Sequence, residues 1–388
     1  MNNNTKILIA TGGTGGHVFP GCNLAKHLLK KKFEVILTTD KRGYKFVDSF
    51  KSLNIFILSS SQIVRRNILT VLFSFFLIAY SVLRALIFLY SHKPKIVFGM
   101  GGYSSFPICI AAKILKIKLI IYENNLIVGK ANKFLLPYCE KILVSFNETE
   151  GISDKYKNKV FLIGNIIKEE IINFQINKKE DDHKSKYLNI LILGGSQAAK
   201  IFGETLPDIF KQCKQNGIRL KIYQQCLIEQ NERLKFFYQT EKIDYEVFNF
   251  KNDLTFYLSK VNLAITRSGS SILAELTNAR IPFIAVPLPT SADNHQFKNA
   301  LHYQNETSSF LLEEKDLKHK LLSLIQSIHN NFSLLDTIRD NQRQFSDKNV
   351  YNNIDDVLKK IINEKNNHFE CKKTLRRNRL DSSIALPF

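Results

Sequence analysis

The sequence predicts an α/β protein made of two parallel-sheet halves, and three observations predict it. Short apolar runs of strand length recur along the chain, each leading through a glycine-rich or polar turn into a helix-length segment. Two such stretches, residues 6–163 and 188–296, flank a polar, charged segment, Lys168–Tyr187, that has no hydrophobic period and reads as a linker. At 388 residues the chain is long enough for two domains of ordinary size, each with its own core. The expected division is an N-terminal domain over 1–165, a C-terminal domain over 166–340, and a final helix and tail over 341–388.

In the first half, Lys6–Ala10 reads as a strand, Thr11–Gly21 (TGGTGGHVFPG) as a glycine-rich turn, Cys22–Lys31 as a helix and Phe33–Thr39 as the second strand. Glycines at a strand-to-helix turn let backbone bend sharply or approach a ligand closely. As a dinucleotide fingerprint the turn is imperfect, because Val18 stands where a third glycine belongs, while Asp40 at the end of the second strand keeps that reading open. His17, directly after the glycines, favours a polar site over a turn that is tight for geometry alone.

After a strand at Ile55–Ser59 comes the most apolar piece of the chain. Ile68–Leu83 holds sixteen uncharged residues, slightly under the ~17–25 needed to span a bilayer. The strands on either side of it, the second being Lys95–Gly99, are expected in one parallel sheet, so the segment is a crossover within one compartment. A crossover helix needs one apolar face, yet this one carries Phe73, Phe75, Phe76, Tyr80, Phe88 and Tyr90 nearly all round. The excess is expected to face lipid, with Arg65, Arg66 and Arg84 suited to an anionic headgroup layer. The other reading is a helix wholly buried by its neighbours. A second glycine-rich turn, GMGGYSSFP at Gly99–Pro107, then opens a helix at Ile108–Leu115. Strands follow at Lys118–Tyr122, Lys141–Ser145 and Val160–Ile163, with the polar run Glu123, Asn124, Asn125 after the first. Two glycine loops at the carboxyl ends of parallel strands face the same sheet edge, where such folds bind ligands.

In the second half, strand Leu188–Leu193 runs into GGSQAAKIFG and a helix, followed by strands at Arg219–Gln224 and Glu246–Asn249. The fullest unit is Val261–Gln296. Val261–Thr266 reads as a strand, Arg267–Ser270 as a turn, Ser271–Ala279 as a helix with an Ile272, Leu276, Ala279 stripe, and Ile281–Pro287 as the next strand. A helix that opens just beyond a parallel strand aims backbone N–H groups and its positive dipole end at one place, which favours a phosphate. Glu275, beside the buried stripe, reads either as an acceptor for ribose hydroxyls or as a solvated helix glutamate. Helices are expected from Glu314 to about Lys360, and the tail carries five positive charges in Lys372–Arg379 (KKTLRRNR), which reads as a disordered tail or a membrane-surface contact.

Composition narrows the partners. Forty-four per cent apolar and 23 per cent charged residues indicate a globular chain, and 55 Lys plus Arg against 35 Asp plus Glu give a net charge of +20, which favours anionic partners. The six cysteines, at 22, 109, 139, 213, 226 and 371, form no CxxC pair and have no histidine at metal spacing, so neither a disulfide framework nor zinc is suggested. The start lacks a signal-peptide pattern, and a reducing cytosol fits.

Taken in order, GGTGGHVFPG (12–21), GMGGYSSFP (99–107), YENN (122–125), GNIIK (164–168), GGSQAA (194–199), RSGSSILAE (267–275) and DNHQ (293–296) resemble the motifs of the MurG family over residues 6 to about 300. Any one of them is weak; the ordered set is specific. The resemblance implies a GT-B fold, two Rossmann-like domains facing across a cleft. It implies transfer of N-acetylglucosamine from UDP-N-acetylglucosamine to lipid I, forming lipid II for peptidoglycan. On it, Ser196, the turn Ser270, Ser271, Ile272, Leu273, Ala274, and Glu275 would hold the phosphates and ribose of UDP. Lys251 would meet the uracil through its backbone and Gln296 the donor sugar, with Lys168 a phosphate contact. Thr14, Gly15, Gly16 and Asn125 would border the transferred sugar and the acceptor diphosphate. The implied partners are UDP-N-acetylglucosamine, lipid I and the anionic cytoplasmic face of the inner membrane, with no nucleic acid, no cofactor and no metal in the donor site.

The expected chemistry is one in-line displacement with inversion at the anomeric carbon, with His17 as the base for the muramyl C4 hydroxyl. A histidine that only binds substrate or packs the loop is the competing reading. The chain departs from the family in YENN for HEQN, GNIIK for GNPVR and GGSQAA for GGSQGA; Lys168 in place of Arg keeps charge and loses a bidentate fork. Three rival functions follow from the same residues: a glycosyltransferase acting on another lipid such as diacylglycerol, a nicotinamide-dependent oxidoreductase built on Asp40, and a non-catalytic membrane-docked scaffold.

Overall fold

The computed structural model describes residues 5–47, 50, 52–58, 68–174, 187–195, 198–251 and 253–363. Arg65, Arg66, Ser196, most of the expected linker and the basic stretch Lys372–Arg379 lie outside them. The N-terminal sheet has seven strands in the order β3-β2-β1-β4-β5-β6-β7. They are β1 Lys6–Ala10, β2 Glu34–Thr39, β3 Asn54–Ile57, β4 Ile96–Gly99, β5 Lys118–Glu123, β6 Lys141–Val144 and β7 Val160–Leu162. The C-terminal sheet has six in the order β10-β9-β8-β11-β12-β13: β8 Leu188–Leu193, β9 Leu220–Gln225, β10 Asp244–Phe248, β11 Leu263–Thr266, β12 Phe283–Ala285 and β13 Phe310–Leu311. Every pairing is parallel. Both sheets therefore reverse direction at their first strand, the switch point where α/β folds open a ligand crevice.

The connecting helices are α1 Gly15–Lys30, α2 Lys41–Tyr44, α3 Ile68–His92, α4 Gly102–Ile114, α5 Lys130–Leu135 and α6 Glu169–Ile172 in the first half and its exit. Then come α7 Lys200–Gln215, α8 Asn231–Thr240, α9 Thr255–Leu258, α10 Ser270–Asn278, α11 His295–Asn305, α12 Leu317–Asn330 and α13 Ser333–Asn341, with α14 over residues 350–363. Helices α1 and α4 begin seven and six residues before the sequence placed them. Each contains a proline, Pro20 and Pro107, at its sixth position, and the glycine and proline content made these first turns read as loop. Proline there removes one bond to the carbonyl four residues back and leaves the rest of the helix intact. The carbonyl freed by Pro20 is Gly16 O, and Asn124 Nδ2 donates to it at 3.0 Å.

The expected linker is also shorter than its polar composition suggested. Residues 169–172 form α6, and Ile171 and Ile172 are buried in the core that joins the two halves. Helix α14 returns to the N-terminal half, where Asp355 meets His27 Nε2 at 2.8 Å and Lys31 Nζ at 2.9 Å. The chain thus crosses between its halves twice.

Helix α3 runs past the sixteen-residue segment to His92, so Arg84 lies within the helix instead of flanking it. Ser74, Ser81, Ala85 and Leu89 form its buried stripe. Leu72, Phe73, Phe75, Phe76, Tyr80, Leu83, Ile87 and Tyr90 are all more than half exposed, which rules out the wholly buried reading.

Candidate active site

The two switch points open onto a single cleft of about 790 Å³. One wall is the N-terminal half. Gly12 (φ +146°) and Gly13 (φ +81°) make a turn that only glycine fits, since a Cβ on Gly12 would lie 2.6 Å from Ser104 Cβ. Asp40 clamps this turn from behind: Oδ1 accepts from the N–H of Gly13 at 2.9 Å and of Gly43 at 2.8 Å, and Oδ2 from Arg42 Nε at 3.2 Å. Burial raises its pKa, but these bonds outweigh that and hold Asp40 below the usual carboxylate range. Both of its oxygens are taken by its own loop. Asp40 is therefore not a ribose ligand, and the oxidoreductase reading loses its acid.

The clamped turn delivers His17 in the first turn of α1. Its Nδ1 lies 3.0 Å from Met100 O, which can only accept, so Nδ1 carries the proton and Nε2 holds a lone pair. The second glycine loop packs on the ring. Gly101 (φ +86°) and Gly102 (φ +74°) are required for backbone conformation and for space, as a Cβ on either would come within 3.1 Å of imidazole atoms. Burial lowers the His17 pKa, partly offset by the nearby Glu123 carboxylate and the Met100 carbonyl. Among neutral imidazoles, one with its donor side committed is ready to accept a proton.

Glu123 itself organises the loop behind His17. Its Oε1 accepts from Asn125 N (3.1 Å) and Nδ2 (3.0 Å), and its Oε2 from Gly129 N and Asn132 Nδ2, both at 2.9 Å.

The facing wall comes from the C-terminal half. Helix α10 opens after Gly269, and the N–H groups of Ser270, Ser271 and Ile272 form its unsatisfied first turn. Glu275 stands one turn deeper; burial pushes it up to about 7, and Lys168 draws it back. Gly194 and Gly195 (φ +79°) complete the wall, with Ala198 forced to φ +45°. Gln296 Oε1 accepts from Ser268 N at 3.2 Å and Leu288 N at 3.0 Å, which leaves its Nε2 donors for a substrate. Lys251 Nζ donates to Tyr257 OH at 2.8 Å, and Tyr257 donates to Glu246 Oε1 at 2.7 Å, so the segment carrying the Lys251 backbone is fixed.

Of the residues expected to form the site, His17, Thr14, Gly15, Gly16, Asn125, Lys168, Lys251, Ser270, Ser271, Ile272, Glu275 and Gln296 line this one cleft. Leu273 and Ala274 do not: they sit on the buried face of α10, with Leu276 and Thr277. The stripe foreseen on this helix is rotated accordingly, and Ile272 is only partly buried. The hydroxyl of Ser270 is spent inside the protein. It donates to Asn124 O and lies 3.1 Å from Asn165 Oδ1, leaving only its backbone for a phosphate.

The structure adds residues that the sequence did not single out. Asn299, fully buried on α11, accepts from Leu126 N at 3.0 Å and donates to Asn125 Oδ1 at 3.1 Å, tying the two walls together. Phe19 and Phe250 stack across the cleft with ring centroids 5.8 Å apart. Arg42 and Lys130 add positive charge to the N-terminal wall of the lining. Asn299 lies three residues after Gln296, one helical turn along, and that spacing was the available signal.

Two Rossmann-like domains sharing one cleft, with a helix N-terminus on one wall and a buried imidazole on the other, are the architecture of a glycosyltransferase of the GT-B fold. Residues 7–144 match the glycosyltransferase family 28 N-terminal domain and residues 189–356 the family 28 C-terminal domain. A relative from Pelagibacter ubique (strain HTCC1062) is 38% identical over 365 residues, 93% of this chain and 99% of its own length. One from Rickettsia bellii (strain RML369-C) is 31% identical over 91% of this chain and 99% of its own. Both carry the name UDP-N-acetylglucosamine–N-acetylmuramyl-(pentapeptide) pyrophosphoryl-undecaprenol N-acetylglucosamine transferase. Among solved structures, Acinetobacter baumannii MurG superposes with a TM-score of 0.72 at 25% identity, covering 92% of this chain and 99% of that one. The chain belongs to glycosyltransferase family 28 and, within it, to the MurG family.

Proposed function

We propose that the chain transfers N-acetylglucosamine from UDP-N-acetylglucosamine to the muramyl sugar of undecaprenyl-pyrophosphoryl-N-acetylmuramyl pentapeptide, lipid I, with inversion. The observation that carries this reading is that twelve residues scattered from Thr14 to Gln296, implied by the motif series, line one cleft. The C-terminal wall holds the donor. The first-turn N–H groups of α10 meet the diphosphate, whose charge grows as UDP leaves, with Lys168 as counter-charge. Glu275 accepts from the ribose, and Gln296 donates to the sugar.

The N-terminal wall holds the acceptor and the base. The C4 hydroxyl of the muramyl sugar attacks the anomeric carbon from the face opposite UDP; its oxygen forms the new glycosidic bond as the bond to the diphosphate breaks. His17 Nε2 takes the hydroxyl proton, and the resulting imidazolium is stabilised by its bond to Met100 O and by Glu123. The glycine turns keep this ring in place. The chain is expected to divide as 1–165, 166–340 and 341–388, with α14 returning to the acceptor domain.

Helix α3 supports docking on the cytoplasmic face of the membrane. The twenty-one residues Leu72–His92 are long and apolar enough to cross a bilayer, yet both ends join strands of one sheet. Arg84, exposed midway along, would sit in hydrocarbon in a span and among headgroups in a helix lying at the interface. The decisive experiment supplies radiolabelled UDP-N-acetylglucosamine with lipid I and with diacylglycerol. Label in a product made from lipid I is expected; label in diacylglycerol alone would overturn the assignment.

A further inference from the structure

The donor helix and the base sit on different domains, so turnover depends on what keeps the two in register. The chain crosses between the domains at Gly164–Lys168 and again at residues 342–349, and Asp347 on the second crossing is 8% exposed. Its Oδ1 accepts from Asn165 N of the first crossing at 2.6 Å. Its Oδ2 accepts from Asn278 Nδ2, at the last turn of α10, at 2.6 Å, and its own N–H donates to Asn278 Oδ1 at 3.0 Å. Gly164 is shaped to admit the carboxylate: it has φ +93°, and a Cβ there would lie 2.5 Å from Asp347 Oδ1.

The other end of the same helix is tied through the same residue of the first crossing. Ser270, the first residue of α10, donates to Asn124 O, and its hydroxyl lies 3.1 Å from Asn165 Oδ1. Asn124 Nδ2 then donates to Gly16 O, immediately before His17, at 3.0 Å. A nine-residue helix is about 13 Å long, so it is clamped at both ends by groups that report to the acceptor domain. We infer that Asp347 is a positioning residue for the transfer, locking both inter-domain crossings to the donor helix so that Glu275 and the phosphate cradle face His17. It touches no substrate and acts through Asn165 and Asn278. This inference rests on the function proposed above and deepens it.

The test uses the full chain with Asp347→Asn, Asn278→Asp and the double exchange. In Asp347→Asn an amide nitrogen opposes Asn165 N–H or Asn278 Nδ2; the exchange gives Asn165 N–H, the new amide and the N–H of residue 347 an acceptor each, and gives up the 2.9 Å bond from Asn278 Nδ2 to Ala274 O. Because misplacing reacting groups by about 1 Å costs ~100-fold, kcat is expected to fall at least about tenfold in Asp347→Asn. Calorimetric affinity for UDP-N-acetylglucosamine should stay within about twofold, since the donor contacts lie mainly on one domain, and the exchange should recover most of the lost kcat.

Domain register is read separately, in a Cys371→Ser background, from the rate at which a short bismaleimide bridges Glu150→Cys and Lys298→Cys, a pair that faces across the domains. That rate should fall in Asp347→Asn and recover in the exchange, whether or not lipid I is the acceptor. Unchanged kcat and bridging in Asp347→Asn would overturn the inference. So would loss of donor binding along with kcat that the exchange fails to correct, which marks a purely structural role. Failure of the wild-type chain to use lipid I, with bridging still sensitive to Asp347, refutes the acceptor assignment alone.

Discussion

Glu275 gives the sharpest prediction, because its environment sets both a direction and a size. Burial between α10 and the cleft raises its pKa to about 7 despite Lys168. Ribose hydroxyls donate to an ionised carboxylate, so donor binding draws on the deprotonated form. The sign follows: below pH 7 most molecules must lose a proton to bind, and affinity rises with pH. With a pKa of about 7, the ionised fraction is roughly one-eleventh at pH 6 and ten-elevenths at pH 8, about a tenfold gain in affinity, or ~1.4 kcal/mol. UDP-N-acetylglucosamine suits the measurement, because its diester-like diphosphate has no group that titrates in this range. Calorimetry at pH 6 and 8, in buffers of different ionisation enthalpy, should show tighter binding at pH 8 and net proton release at pH 6. Glu275→Gln should weaken binding at pH 8 and remove the pH dependence. Affinity independent of pH in the unaltered chain, or proton uptake at pH 6, would refute the ribose assignment.

The base makes a second prediction, on the same acid limb. His17→Ala should lower kcat by about 10²–10⁴-fold, and because burial lowers the His17 pKa, the acid limb of the wild-type rate should have its midpoint below 6.5. Near-normal turnover in His17→Ala with an unchanged pH profile would remove the base role. Ala198→Gly should raise stability by roughly 1 kcal/mol, read as a shift in urea midpoint, because Ala198 is held at φ +45° where a Cβ is strained. A loss of stability would mean that the strain is compensated. Replacing Leu72, Phe75 and Phe76, each more than half exposed, with serine should weaken binding to phosphatidylglycerol vesicles by at least about tenfold and leave donor affinity intact. Equal vesicle binding by both proteins would place the membrane contact elsewhere.

The local devices of the site were legible because each is made within one short segment. The unit Val261–Gln296 carries its own strand, turn and helix N-terminus, and the glycine turns at 12–16 and 101–102 announce tight backbone. Boundaries failed where chemistry that usually breaks helices sits inside them. Pro20 and Pro107 lie at the sixth position of their helices, where each removes a single hydrogen bond, and the carbonyl that Pro20 frees is taken up by Asn124. Asp40 was readable as an acid at a strand end, but its partners, Gly13 and Gly43, are fixed only by the fold of the loop around it.

Sequence alone determined the α/β class, the two halves, the exposed apolar excess of the helix Ile68–His92 and the ordered motifs that line the cleft, because periodicity and turn chemistry are local. Tertiary structure decided what each polar group spends its bonds on. The Ser270 hydroxyl goes to Asn124 beside Asn165, Asn125 is bound by Asn299, and Asp347 joins two crossings to Asn278. Those pairings link residues more than a hundred positions apart or on different elements. No local pattern encodes them, since a buried polar group takes whichever partner the packed domains bring within hydrogen-bond reach.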